Sequence, residues 1–263
     1  MISSLQKLTT QAIINIFETS RIHGDYGRVT LLEHDTGHLT YGRSQTTLAS
    51  GNLYVLIKSY CDADAAEYAD DLRPYLESLG NRDLTLDHDQ RFRRLLRNAG
   101  NDPVMHTVQD AFFDRVYWEP AIKSADYIGA ETGLGTTIVY DSRIHGSWHA
   151  IRDQTNSDIG SLSEIGERIW FEQYVAKRHH WLATHSNIGL HATVYRMESF
   201  QELIVSDNWD LHLPLVVRGI TIDQAALEPE RPLAPRHEIG RRQWALRSFR
   251  PRCWRLGQSG CLR

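Results

Sequence analysis

No apolar run in this 263-residue chain reaches the roughly 18 positions a bilayer-spanning helix needs, so no membrane partner is expected. Cysteine is scarce as well. Cys61, Cys253 and Cys261 are too few and too scattered for a disulfide framework, and none lies in a zinc-type spacing. Neither sign of charge dominates: the formal net charge of −4 gives no electrostatic reason to expect a nucleic-acid partner. The opening MISSLQKLTT lacks the basic and apolar regions of a secretory signal. That leaves a cytoplasmic protein, export by another route, or a signal already removed. Gly133-Leu134-Gly135 follows no clear strand and lacks the rest of a dinucleotide fingerprint, and no serine or cysteine nucleophile motif is visible. His34 and His38 are four apart on an expected hairpin, but no third ligand accompanies them. Neither a metal nor another cofactor is expected.

What is present reads as a soluble globular chain, with 41% hydrophobic and 24% charged residues. Its length can bury a substantial core, as one large domain or two lobes sharing a cleft. Residues 1–227 show no repeat or low-complexity linker and read as one unit. The tail, 228–263, differs. From Pro235 to Arg263 it carries eight arginines and one acidic residue with little periodicity. That fits a basic arm, or a segment read in an altered frame.

Leu5, Leu8, Ala12, Ile13 and Ile16 stand at helical spacing over residues 4–18, with Glu18 in the last turn. Arg28–Glu33 and His38–Gly42 read as strands joined by His34-Asp35-Thr36-Gly37, ordinary hairpin chemistry. The polar RSQTTLASG segment follows as an expected cleft floor. A helix capped by Ser50 or Asn52 should bury Leu53, Leu56, Ile57 and Tyr60. Residues 62–80 are expected to continue helically, interrupted near Pro74. Asp87 should cap a helix to Asn98, and Asp102-Pro103 should open an aromatic-rich helix that Pro120 breaks. Ser161-Leu162-Ser163-Glu164 forms a capping box expected to start a long helix to about Thr184. A further helix spans about 191–205, and 208–219 reads as a closing strand. The aromatics Phe112, Phe113, Tyr117 and Trp118 fall at core spacing rather than on a sugar-stacking face.

The chemistry concentrates between Glu18 and Asn52. Glu18 ends a helix, Asp35 lies seventeen residues on in a turn, and Thr40 follows five residues later. Two carboxylates held apart on different elements are what acid/base cleavage of a glycosidic bond requires. The negative helix end and the apolar Phe17 both penalise charge on Glu18, which suits a proton donor. Asp35 at a turn mouth suits a base, and the Thr40 hydroxyl suits holding a water beside it. Each has a plainer reading: Glu18 as a solvated helix end, Asp35 as a turn former, Thr40 as a strand residue.

This pattern resembles the family 46 chitosanases of the lysozyme-like superfamily, across most of residues 5–227. The run Asp35-Thr36-Gly37-His38-Leu39-Thr40-Tyr41-Gly42 corresponds to the family's D-G-R-G-Y-T-G, Tyr140-Asp141 with His145-Gly146 to its Y-D and H-G segment, and Arg178 and Arg196 to its two cleft arginines. The resemblance implies an α+β, predominantly helical, lysozyme-like two-lobed fold with a small hairpin or sheet beside the cleft. It implies endo-hydrolysis of β-1,4 linkages in chitosan with inversion, with Glu18 as acid, Asp35 as base and Thr40 positioning water. Asp141, Arg178 and Arg196 become a supporting charge network, and Tyr41, Arg43, Asn52 and His145 fall to substrate binding. It further implies a polysaccharide partner, a monomer, and a secreted or periplasmic protein. Three departures stand out. Gly37 replaces an arginine two residues after the base, Asn52 replaces an amine-gripping aspartate, and an acidic pair before Arg196 is missing. An amide gives an ammonium a weaker bond than a carboxylate does. A muramidase on the same fold, or a non-catalytic sugar-binding module, are the rival readings.

Overall fold

The computed structural model describes residues 2–31, 36–43 and 46–228. Ser3 opens helix α1 (Ser4–Thr19) with a reciprocal capping box, its hydroxyl accepting from the Gln6 N–H while Gln6 Oε1 accepts from the Ser3 N–H. The helix ends where Ser20 turns left-handed at φ 57°. Its buried stripe begins at Thr9 and runs through Ala12, Ile13, Ile16 and Phe17, whereas Leu5 and Leu8 stay largely exposed.

Strands β1 (Val29–Thr30), β2 (Thr40–Tyr41) and β3 (Thr46–Thr47) form an antiparallel sheet in that order, Thr40 lying opposite Thr30 and Thr47. The segment expected as a polar cleft floor supplies β3, because adjacent β-branched threonines favour the pleated backbone. Gln109 fastens both legs of the β1–β2 pair, its Nε2 donating to Tyr26 O at 2.8 Å and its Oε1 accepting from Arg43 N–H at 3.0 Å. Gly42 is required there. Its φ is +75°, and a Cβ would sit 2.3 Å from Gln109 Oε1.

Helix α2 (Asn52–Cys61) starts after Gly51, not from a Ser50 or Asn52 side-chain cap, and buries the expected Leu53, Leu56, Ile57 and Tyr60. Residues 62–68 are turns rather than helix, and the short helical segments of 69–80 change to 3-10 form around Pro74. Asp89, not Asp87, caps α3 (Gln90–Ala99), accepting from the Arg91 and Phe92 N–H groups. Asp102 caps α4 (Pro103–Phe113) as expected. Pro120 breaks nothing: a π-turn over Asp114–Trp118 leads straight into α5 (Glu119–Ile128), so the amide that proline lacks falls in a first turn.

Helix α6 (Gly133–His145) is buried from Gly133 to Ser142, and the glycines explain how. A Cβ on Gly135 would meet Glu167 Oε1 at 2.4 Å, so this pair serves close helix packing. Helix α7 (Trp148–Ile159) was not expected from the sequence pattern. The capping box at Ser161 is real but opens a single turn, Leu162–Ile165, because Gly166 at φ 89° ends it before α8 (Glu167–Thr184). A 3-10 turn, Ile188–Thr193, precedes α9 (Tyr195–Val205), and β4 (Leu215–Val217) pairs with β5 (Ile220–Ile222) rather than closing a larger sheet.

Two hydrophobic cores result. One gathers Leu39, Tyr41, Leu53, Tyr60, Phe92 and Met105; the other centres on Ile13, Ile138, Trp170, Tyr174 and Phe200. Helix α4 serves both, sending Phe112 to the first and Phe113 to the second. The fold is predominantly helical α+β with a small antiparallel sheet. Cys61 is a buried free thiol, and no described helix is long and apolar enough to cross a membrane. Residues 229–263, including Cys253 and Cys261, lie outside the described residues.

Candidate active site

Four helices meet at one ion-pair chain. Glu18, in the last turn of α1, is bonded by Arg196 Nη2 of α9. The same guanidinium reaches Asp141 Oδ1 of α6 at 2.5 Å, and Arg178 Nη1 of α8 takes Asp141 Oδ2 at 2.7 Å. Asp141 and Arg178 are wholly buried and the Arg196 side chain nearly so, while the Glu18 side chain keeps 34% of its surface exposed. Exposure therefore rises along the chain, and its solvent-facing end is the carboxylate.

Burial alone would push the Asp141 carboxyl up, but Arg196 and Arg178 together bring it below the usual carboxylate range. Arg178 is held from three further sides, by Ser147 Oγ, Gly146 O and His145 Nδ1, each at 3.2 Å. His145 is thus an acceptor at Nδ1. Burial, and then the neighbouring Arg196 charge, lower its pKa to about 4. The Arg196 guanidinium also lies over the Phe17 ring at 5.3 Å. The sequence-based account of Glu18 considered only its own helix and neighbour; the fold adds a cation.

Asp35, the expected base, lies outside the described residues. The structure brings Glu18, Asp141, Arg178, Arg196 and His145 together. Thr40 is buried in β2 to 6% exposure, its Oγ1 donating to His38 O at 3.0 Å. Tyr41 and Arg43, expected against substrate, are packed inside instead. Tyr41 is 0% exposed in the first core, so it has no surface to offer a sugar. Arg43 is paired with Asp110 and stacked over Phe113 at 5.1 Å, with Tyr26 Oη accepting from its Nη1 at 3.4 Å. Asn52 is the half-buried first residue of α2. Tyr26, Asp110 and Gln109 were missed by sequence reasoning, since their contacts span 66 to 84 residues of chain. No described group of histidine, cysteine and acidic side chains could hold a metal.

A partly exposed carboxylate backed by a buried arginine network, on a helical fold with a small sheet, suits the acid half of a glycoside hydrolase, and the comparisons with known proteins assign the chain to that class. The family model described as glycosyl hydrolase family 46 matches residues 12–215. A chitosanase of Bacillus subtilis (strain 168) is 26% identical over 228 residues, covering 81% of this chain and 82% of that protein. The solved GH46 chitosanase of Gynuella sunshinyii, in complex with chitotetraose, aligns with a TM-score of 0.72 at 25% identity, over 84% of this chain and 98% of that one. Native chitosanase from Bacillus subtilis MY002 gives a TM-score of 0.72 at 25% identity, over 85% and 100%. This chain belongs to glycosyl hydrolase family 46.

Proposed function

We propose that the protein hydrolyses internal β-1,4 linkages of chitosan with inversion at the anomeric carbon. The observation that carries this is the Glu18–Arg196–Asp141–Arg178 chain, which ends in an accessible carboxylate. Glu18 gives its proton to the glycosidic oxygen, and Asp35 takes one from a water held by Thr40 on the opposite sugar face. Inversion requires the two carboxyl groups to stand about 6.5–9.5 Å apart, leaving room for that water. Once Glu18 has lost its proton, its negative charge faces Arg196, so charge developing in the transition state meets a preplaced cation. That cation is fixed by Asp141, which Arg178 holds in turn.

Chitosan is the substrate that the chitosanase relatives point to. Peptidoglycan is the second reading, favoured by Asn52 standing where the resemblance puts an amine-gripping aspartate and by the missing acidic pair before Arg196. Both polymers are outside the cytoplasm, so we place the enzyme there, working as a monomer. Digests of chitosan and of bacterial sacculi, with products identified by mass spectrometry and the first-formed anomer by proton NMR, test the reading. Glucosamine oligomers released as the α-anomer are expected. Muropeptides alone, or a β-anomer from chitosan, would overturn it.

A further inference from the structure

One peptide unit, between His38 and Leu39, connects a buried carboxylate to the hydroxyl of Thr40. Its N–H, on Leu39, donates to Asp87 Oδ1 at 2.8 Å. Its carbonyl, on His38, accepts from Thr40 Oγ1 at 3.0 Å. The second oxygen of Asp87 accepts from His38 Nδ1 at 2.8 Å. Asp87 is 5% exposed and sits in the 3-10 turn Leu84–His88, far from the hairpin in sequence. His38 takes a left-handed φ of 60°, a conformation unfavourable for any residue with a Cβ, and the two Asp87 contacts hold it there.

We propose that Asp87 is a positioning residue for the water-activating half of the reaction, fixing the Thr40 hydroxyl as a hydrogen-bond acceptor. The proposal rests on the reading of Thr40 given above. A carbonyl cannot donate, so the single proton of the Thr40 hydroxyl is committed to His38 O, and only its lone pairs remain for a water. That water gives one proton to the base and points the other at Thr40 Oγ1. Its own lone pair is left for the anomeric carbon. The oxygen–carbon bond forms as the bond to the leaving sugar breaks, and the proton lost from water goes to Asp35. A carboxylate on the N–H side of a peptide polarises it and strengthens the carbonyl as acceptor, so Asp87 acts on Thr40 without touching it. Nothing in the local pattern around Asp87 shows this role, since the same residue also reads as a helix cap.

The test is a double-mutant cycle on the full chain, Asp87→Asn against Thr40→Val, with chitosan turnover and thermal melts recorded for each. Asp87→Asn keeps an acceptor for the Leu39 N–H and should fold, while losing the charge. Its kcat should fall about 10-fold with KM within about twofold of wild type, the pattern of a misplaced reacting group. Thr40→Val should be slower still, and adding Asp87→Asn to it should change nothing further, because the pathway through Thr40 is already cut. A wild-type kcat for Asp87→Asn, or losses that multiply in the double variant, would overturn the proposal while leaving Thr40 in its place. A wild-type rate for Thr40→Val would overturn both.

Discussion

Asp141→Asn tests the arginine chain where it is most buried. Each carboxylate oxygen of Asp141 serves a different guanidinium, Oδ1 accepting from Arg196 and Oδ2 from Arg178. An asparagine of the same shape has one oxygen and one amide nitrogen. Whichever way it turns, N–H donors face a guanidinium that can only donate. Breaking a buried pair from one side costs about 3–5 kcal/mol, since a charge is left without its partner. In a domain of this size each kcal/mol moves the melting temperature by about 2–4 °C, so a drop of roughly 6–20 °C is expected at neutral pH. The pH dependence adds a second check. The Asp141 pKa is lowered in the folded protein, so its contribution is fully present above the unfolded value of about 3.9 and is lost as pH falls through the lower folded value. The gap between wild type and variant should therefore hold from pH 7 to about 4 and narrow only below that. Circular-dichroism melts across this range measure it. A variant that melts within about 2 °C of wild type at pH 7 would refute the buried-pair argument.

Other outcomes follow from the same geometry. Glu18→Gln should lower chitosan turnover by at least about 10²-fold in a reducing-end assay, with little change in melting temperature, because the side chain is partly exposed at a helix end. Gly42→Ala forces a Cβ into Gln109 at a positive φ and should cost about 2–3 kcal/mol, read as a lower urea midpoint. The lowered pKa of His145 makes its contribution fully present above about pH 6.5 and lost as pH falls towards about 4. A protonated Nδ1 would face the Arg178 donor, so His145→Asn should lose less melting temperature than wild type over that interval.

Where a residue's surroundings come from its own turn of chain, the sequence made them legible. The α1 periodicity, the Asp102-Pro103 start of α4 and the buried face of α2 are of this kind. Local rules misled where a neighbour changed their consequence. The Ser161 capping box is sound, yet Gly166 limits it to one turn. Pro120 reads as a breaker, yet a π-turn absorbs it. The site was legible only in part. Arg178 and Arg196 carry no spacing signal linking them to Asp141, and family resemblance alone drew attention to them. Asp87 and Gln109 had neither kind of signal, because the backbone groups they hold lie dozens of residues away.

The guanidinium that meets Glu18 lies 178 residues downstream of it. A nascent chain emerging from the ribosome can form its first helix, its hairpin and most of its interior while this carboxylate still has no counterion. The order of synthesis thus withholds this contact until α9 docks, and a chain terminated before Arg196 lacks it however well its earlier portion folds.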